Sequence, residues 1–251
     1  MIIALSIPSY ERFEVNGARV VAAKNCSASI REVLEREALY DYAARQPDAV
    51  ALVGRAPVFA VNLPGCGRAV VRHNMRGGWL AKFSKDLFLL PTRGFRELLA
   101  SLRLRASGVS TPEVLAYISY PKNVLLRRAD VATREIPNGH DLSVALAKIT
   151  DHAHRVMVLD AVVGLLKGLT AAGAHHQDLN LKNILLTAGE GPGLDAHVLD
   201  VDRVRFSSPA SPLVAQANLD RLIRSLRKWR DLHELPFSAE DEEYLRLRSV
   251  E

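Results

Sequence analysis

AHHQDLNLKNILLTAGEGPGLDAHVLDVD, residues 174–202, is the stretch from which the rest of the chain can be read. His176-Gln177-Asp178 is followed five residues after the aspartate by Asn183, and then by the apolar run Ile184-Leu185-Leu186, which reads as a strand. A further loop leads to Val198-Leu199-Asp200, an aspartate closing a second strand. A short loop between Asp178 and Asn183 lets the two side chains face different ways, with His176 bracing it. The bland alternative is a capped turn joining two strands, in which Asp178 and Asn183 are turn formers.

The order H-x-D-x-x-x-x-N, with an aspartate at the end of the next hairpin, is that of a kinase catalytic loop and its metal-binding aspartate. The chemistry explains the residue types. A hydroxyl attacking a γ-phosphorus must be oriented and relieved of its proton, which the Asp178 carboxylate can do. The phosphates of ATP need Mg²⁺, a hard cation that prefers oxygen, and the Asn183 amide oxygen and Asp200 carboxylate can supply it.

Composition sets the bounds. With 251 residues, the chain is long enough for one large domain or two small lobes with a real core. Hydrophobic residues make up 48% and charged residues 24%, as in an ordinary globular protein. The 33 Lys and Arg against 28 Asp and Glu give a net charge of +5, which suits anionic partners without singling out nucleic acid, and none is expected. Cys26 and Cys66 have no C-x-x-C spacing, so a reducing compartment is expected and a disulfide framework is not. The N-terminal MIIALSIPSYERFEV lacks the basic and apolar regions of a signal peptide, and no apolar run reaches the length of a membrane span.

Residues 1 to about 25 read as a short strand or an extension. Ser29-Ile30-Arg31-Glu32 has the form of a capping box and predicts one accessory helix from about 30 to 45. From Ala49, the runs 50–53, 58–61 and 69–72 with tight turns between them predict an antiparallel meander. In a kinase small lobe the first turn covers the ATP phosphates and a cation on the third strand reaches them. That places Gly54 in the turn and Arg72 on the strand, with Lys82 as the alternative cation. Arg72 is preferred by strand count, and its forked donors suit phosphate oxygens. Glu97, in the helical run from Phe95 to Leu102, is placed to pair with that cation. Val114–Tyr117 and 124–126 continue the sheet, and residues 129–137 fit either a hinge that bonds adenine or an edge strand.

Beyond Pro137 the pattern turns helical. Asp141 can cap 142–150, and Leu159, Val162, Val163, Leu166 and Leu169 make an apolar stripe ending at Gly173. His152, His154, His175 and His176 do not have the spacing of zinc ligands. The link after Asp200 is short and has no A-P-E segment, so no platform for a protein substrate is expected and a small-molecule acceptor is. A helix from Gln216 to about Arg230 carries Arg221, Arg224 and Lys228 on one face, read as solvated or as touching anionic lipid. Glu240 to Glu243 open a last short helix.

Arg72-His73, Arg76-Gly77-Gly78, Ala81–Asp86, Phe95-Arg96-Glu97, Arg128-Ala129-Asp130, Asp178-Leu179-Asn180, Asn183–Leu186, Asp200–Arg203 and Gln216–Leu222 stand in an order that resembles the 3-deoxy-D-manno-octulosonic acid (Kdo) kinases of the lipopolysaccharide kinase family. The resemblance covers about residues 50 to 230, and Asp-Leu-Asn with Asp-x-Asp-Arg sets it apart from protein kinases. It implies a protein-kinase-like fold and ATP-dependent phosphorylation of the 4-hydroxyl of a Kdo residue on a lipid A precursor. The enzyme would act at the cytoplasmic face of the inner membrane of Gram-negative bacteria. The family's catalytic aspartate falls on Asp178, and its metal ligands fall on Asn183 and Asp200.

The expectation is therefore an α+β, two-lobed kinase. Residues 1–47 would form an extension, 48–136 a β-rich N-lobe and 137–251 a helical C-lobe, with ATP between the lobes. A Kdo-lipid A acceptor and a peripheral contact with an anionic membrane are the expected partners. A kinase for another core sugar such as heptose, or for a small molecule, is the alternative within the class. A catalytically silent binding module is the alternative outside it, and the presence of all three of Asp178, Asn183 and Asp200 argues against it.

Overall fold

The structure, a computed structural model, describes residues 7–52, 57–73, 93–121, 127–189 and 191–250. The chain forms two compact units, one from Met1–Leu98 with Glu113–Glu135 and the other from Leu99–Pro112 with Ile136–Glu251.

The first unit is built on strands β1 (Tyr10–Val15), β2 (Ala18–Ala23), β3 (Val50–Leu52), β4 (Val58–Leu63), β5 (Gly67–His73), β6 (Val114–Pro121) and β7 (Arg127–Arg134). They make one antiparallel sheet in the order β1-β2-β6-β7-β5-β4-β3. The run β3-β4-β5 is the meander expected from its turn residues. Residues 10–23 also belong to this sheet: β2 pairs with β6 from Arg19↔Ser119 to Ala22↔Ala116. Their turn is Asn16-Gly17, both at positive φ (48° and 75°), where the backbone twist of a two-residue turn matches that of the strands it joins. Strand β7 lies between β6 and β5, so residues 129–134 are not an edge strand.

Two helices, α1 (Ser27–Arg36) and α2 (Leu39–Arg45), take the place of the single helix expected over 30–45. The break at Glu37-Ala38 has a tertiary cause. The Leu39 N–H donates to the Tyr120 hydroxyl at 2.9 Å, and the Tyr40 N–H donates to the carboxylate of fully buried Asp130 at 3.1 Å. These partners satisfy the first N–H groups of a new helix, which would otherwise be orphaned. Ser29 lies inside α1 and does not cap it; the N-cap position is Cys26, with no side-chain bond. Ile30, Val33, Leu34, Leu39 and Ala43 pack with Val20, Ala22, Val61, Val71, Leu115 and Ile118 as the core of this unit.

In the second unit the core gathers around helix α5 (His152–Ala171), whose Val158, Leu159, Val162, Leu166 and Leu169 are buried. Helix α3 (Arg93–Ala106) contributes Ala100 and Leu104 to the same core. Asp141 caps helix α4 (Leu142–Ala147), which is shorter than expected, by accepting from the N–H groups of Ser143 and Val144 at 3.0 and 3.2 Å. Gly173, at φ 64°, turns the chain out of α5 where a Cβ would come within 2.5 Å of the Ser207 carbonyl. Helix α6 (Pro212–His233) is longer than its sequence pattern indicates and opens with Pro at its first position. In helix α7 (Ala239–Val250), Asp241 and Glu242 are buried against arginines: Arg155 meets Asp241 and Arg227 meets Glu242, both at 2.7 Å.

Candidate active site

Short strands assemble residues 174–206. Strand β9 (Ala174–His176) leads into the loop, β10 (Ile184–Ala188) and β11 (Leu194–Val198) form the hairpin, and β12 (Val204–Phe206) returns to pair with β9. A two-residue strand, β8 (His140–Asp141), lies on the other side of β10. The register Ile184↔Val198 sets Asn183 beside Leu199, and the Leu199 N–H donates to the Asn183 carbonyl at 2.8 Å. Val204↔His176 closes the other end. Asp178, Asn183 and Asp200 are thus tied into one neighbourhood by main-chain bonds on both sides.

The loop is braced from within. Asn183 donates its side-chain amide to the Asp178 carbonyl at 2.9 Å, and Asn180 does the same at 2.9 Å while accepting from the Lys182 N–H. His176 is wholly buried. Its Nδ1 accepts from the Asp178 N–H at 3.2 Å, so its Nε2 carries the proton and donates to the Leu199 carbonyl at 3.0 Å. Burial pushes the imidazole pKa below its ordinary value, partly opposed by the Leu199 carbonyl and the charges of Asp200 and Asp178. A neutral ring of fixed tautomer therefore links the loop to the residue before Asp200. Asp200 is an exposed, non-glycine residue in the left-handed region (φ 55°, ψ 49°), a local strain of the kind often stored at working sites.

One face of α6 backs the loop, and sequence reasoning missed it. Asn218, wholly buried, accepts from the His176 N–H and donates to the Ala174 carbonyl, both at 2.9 Å. One turn on, Arg221 donates from Nη2 to Asp178 Oδ1 at 2.7 Å. Ser225 faces the Leu181 N–H at 3.4 Å, and Trp229 lies under the Lys182 ammonium, 4.8 Å from its ring centre. Arg221 therefore does not stand with Arg224 and Lys228 on a purely solvated face. The available signal is Asn218, a polar residue in phase with the apolar stripe of Leu219, Leu222 and Leu226.

In the first unit, Arg72 on β5 and Glu97 on α3 form an ion pair, with the Glu97 side chain only 6% exposed and that of Arg72 25%. Beside them is a buried chain of polar groups: Arg128 Nε donates to His73 Nε2 at 3.3 Å, and His73 Nδ1 meets Asp130 Oδ1 at 2.6 Å. Gly54 and Lys82 lie outside the described residues.

A profile of the Lipopolysaccharide kinase (Kdo/WaaP) family matches residues 56–246. The chain belongs to this family. Among its relatives, a 3-deoxy-D-manno-octulosonic acid kinase of Vibrio vulnificus is 32% identical over 181 residues, 70% of this chain and 72% of that protein. One of the same name from Stenotrophomonas maltophilia is 33% identical over 201 residues, 78% and 75% of the two chains. A solved structure of WaaP in complex with acyl carrier protein superposes with a TM-score of 0.59 at 16% identity, covering 92% of this chain and 88% of that one. The fold of this Kdo/WaaP-family kinase is accordingly protein-kinase-like, with a β-rich N-terminal unit and a mainly helical C-terminal unit. Family membership makes it an enzyme, a phosphotransferase of the class that uses an alcohol as acceptor, and a fold of this kind implies use of a nucleotide donor.

Proposed function

We propose that this kinase transfers the γ-phosphoryl group of ATP to the 4-hydroxyl of a Kdo residue on a lipid A precursor. The observation that carries the reading is the half-exposed Asp178 carboxylate, held at the end of a loop whose backbone is fixed by His176, Asn180 and Asn183, in a chain similar to proteins named Kdo kinases. In that reading Asp178 orients the sugar hydroxyl and accepts its proton. Arg72 steadies the phosphates with Glu97 behind it, and Lys82 is the other candidate cation. In the same reading Gly54 would belong to the turn over the phosphates.

Asn183 and Asp200 would hold Mg²⁺, and the donor set fits that ion. The Asn183 amide spends its N–H on the Asp178 carbonyl, which leaves the amide oxygen to act as a ligand. Among the described residues no cluster of three or more His, Cys, Asp or Glu stands ready to hold a metal ion. One carboxylate and one amide suit Mg²⁺ arriving with a nucleotide, since this ion keeps several water or phosphate oxygens and needs few from the protein. When bound, Mg²⁺ neutralises charge that develops on the phosphates.

No helix among the described residues is long and apolar enough to cross a membrane. In this proposal the kinase meets its lipid-linked acceptor peripherally, on the cytoplasmic face of the inner membrane, with exposed Arg224 and Lys228 on α6 toward anionic headgroups. The test is incubation of purified protein with labelled ATP and Kdo-lipid A, with heptose-bearing acceptors alongside, and the product located by mass spectrometry. Phosphate at the Kdo 4-hydroxyl is expected. Transfer to heptose alone, or to neither, would overturn the assignment.

A further inference from the structure

Arg221 stands where a neutral acceptor would need no charge. Its guanidinium has five N–H donors, and among the described residues only Nη2 is used, on Asp178 Oδ1. The pair is open: the Arg221 side chain is 42% exposed and Asp178 34%, whereas the bracing pairs of the same unit bury their carboxylates, with Asp241 at 4% and Glu242 at 12%. Asp178 does not depend on Arg221 to hold its main chain, because His176, Asn180 and Asn183 already satisfy its N–H and carbonyl. Two other cations of this unit are committed. Lys182 is drawn to Asp141 at 3.0 Å and over Trp229, and Arg227 is bidentate on Glu242.

We propose that Arg221 is a specificity-determining residue that binds the carboxylate of the sugar-acid acceptor while Asp178 receives its hydroxyl. The inference rests on the functional reading above and deepens it. A sugar acid brings a carboxylate up to a site that already holds the Asp178 carboxylate, and the two repel unless a cation lies between them. A guanidinium can serve both, giving one N–H to Asp178 Oδ1 and a pair of parallel N–H groups to the acceptor's carboxylate. In Kdo the acid group is borne by C2 and the reacting hydroxyl by C4, close enough on one ring for adjacent protein groups to grip both. A neutral sugar would fill only half of that grip and would leave the Arg221–Asp178 pair closed over the base.

The test compares the Kdo-lipid acceptor with the same compound carrying its carboxylate as the methyl ester, using wild type, Arg221→Gln and Arg221→Lys. For wild type the ester is expected to have a higher KM. Arg221→Gln should lower kcat/KM for the acid about ten- to a hundredfold, mostly through KM, the range expected for losing a charged hydrogen bond. The loss on the ester should be smaller by about tenfold or more, and Arg221→Lys should recover part of the loss on the acid. Equal losses on acid and ester would make Arg221 a brace and overturn the proposal, as would a wild type that does not distinguish the two acceptors. That second comparison stands even if a variant fails to fold. Absence of transfer by wild type to either acceptor would instead remove the functional reading itself, and this proposal with it.

Discussion

Removing the side chain of Asn218 tests whether α6 fixes the proposed catalytic loop. This one amide accepts from the His176 N–H and donates to the Ala174 carbonyl at zero exposure, so Asn218→Ala strands two buried main-chain groups. Each such group costs about 1–3 kcal/mol, which gives an expected destabilisation of about 2–6 kcal/mol for the second unit. The assay is urea unfolding followed by fluorescence of Trp229, which lies on the same helix with its ring 4.3 Å from that of His233. Trp79 is first replaced by Phe so that Trp229 reports alone. Turnover should fall along with stability, by about a hundredfold if the loop shifts by as little as 1 Å. Asn218→Asp makes the argument sharper. It keeps the acceptor but sets a carboxylate against the Ala174 carbonyl, and burial raises its folded-state pKa, so this variant should gain stability as pH falls toward 5. A shift below about 1 kcal/mol for Asn218→Ala, or turnover within threefold of wild type, would mean that the loop is held by other means.

Further expectations concern the reacting groups and the frame around them. Asp178→Asn should lower turnover about 10²- to 10⁴-fold and leave nucleotide affinity largely unchanged; turnover within threefold of wild type would remove Asp178 from the role of base. Asp200→Ala should abolish the Mg²⁺-dependent part of nucleotide binding, and calorimetry giving the same affinity with and without the substitution would contradict the metal assignment. His176 has a lowered folded-state pKa, so between the unfolded value near 6.5 and that lower value the unfolded chain binds the extra proton. Stability should therefore decline as pH falls below about 6.5, by at most about 1.4 kcal/mol per pH unit from this group. His176→Gln should show a shallower decline between pH 7.5 and 5.5, and identical slopes would exclude His176 as the source. Gly173→Ala would put a Cβ 2.5 Å from the Ser207 carbonyl at a φ of 64°, and a midpoint loss of about 5 °C or more in thermal unfolding is expected; an unchanged midpoint would show that the turn can relax.

The local structure of residues 174–202 is legible because these residues are contiguous and their hairpin is set by local alternation. Asp178, Asn183 and the strand after Asn183 are read from the order of a kinase loop, Arg72 from strand count, and Glu97 from the place of the kinase helix glutamate that pairs with the phosphate-binding cation. What the sequence hid depends on distant partners. The break between α1 and α2 is made by Tyr120 and Asp130, 81 and 90 residues further along, which no local pattern can anticipate. Arg221 sits 43 residues from Asp178, and periodicity can place it on a helix face without saying what that face meets. The N-terminal hairpin is a different case. Asn16-Gly17 is a strong local turn signal, and the expectation of a short strand or an extension gives it no weight.

The seven-stranded sheet makes the residues outside the family match indispensable in another sense. The profile spans residues 56–246, yet β1, β2 and β3 all precede it and cover β6 on one flank and β4 on the other. Trimming to the shared span would move the sheet's two edges inward, from β1 and the three-residue β3 to the longer β6 and β4, and long bare edges recruit strands from neighbouring molecules. On this view, the strands that precede the shared span keep the exposed rims of the sheet short.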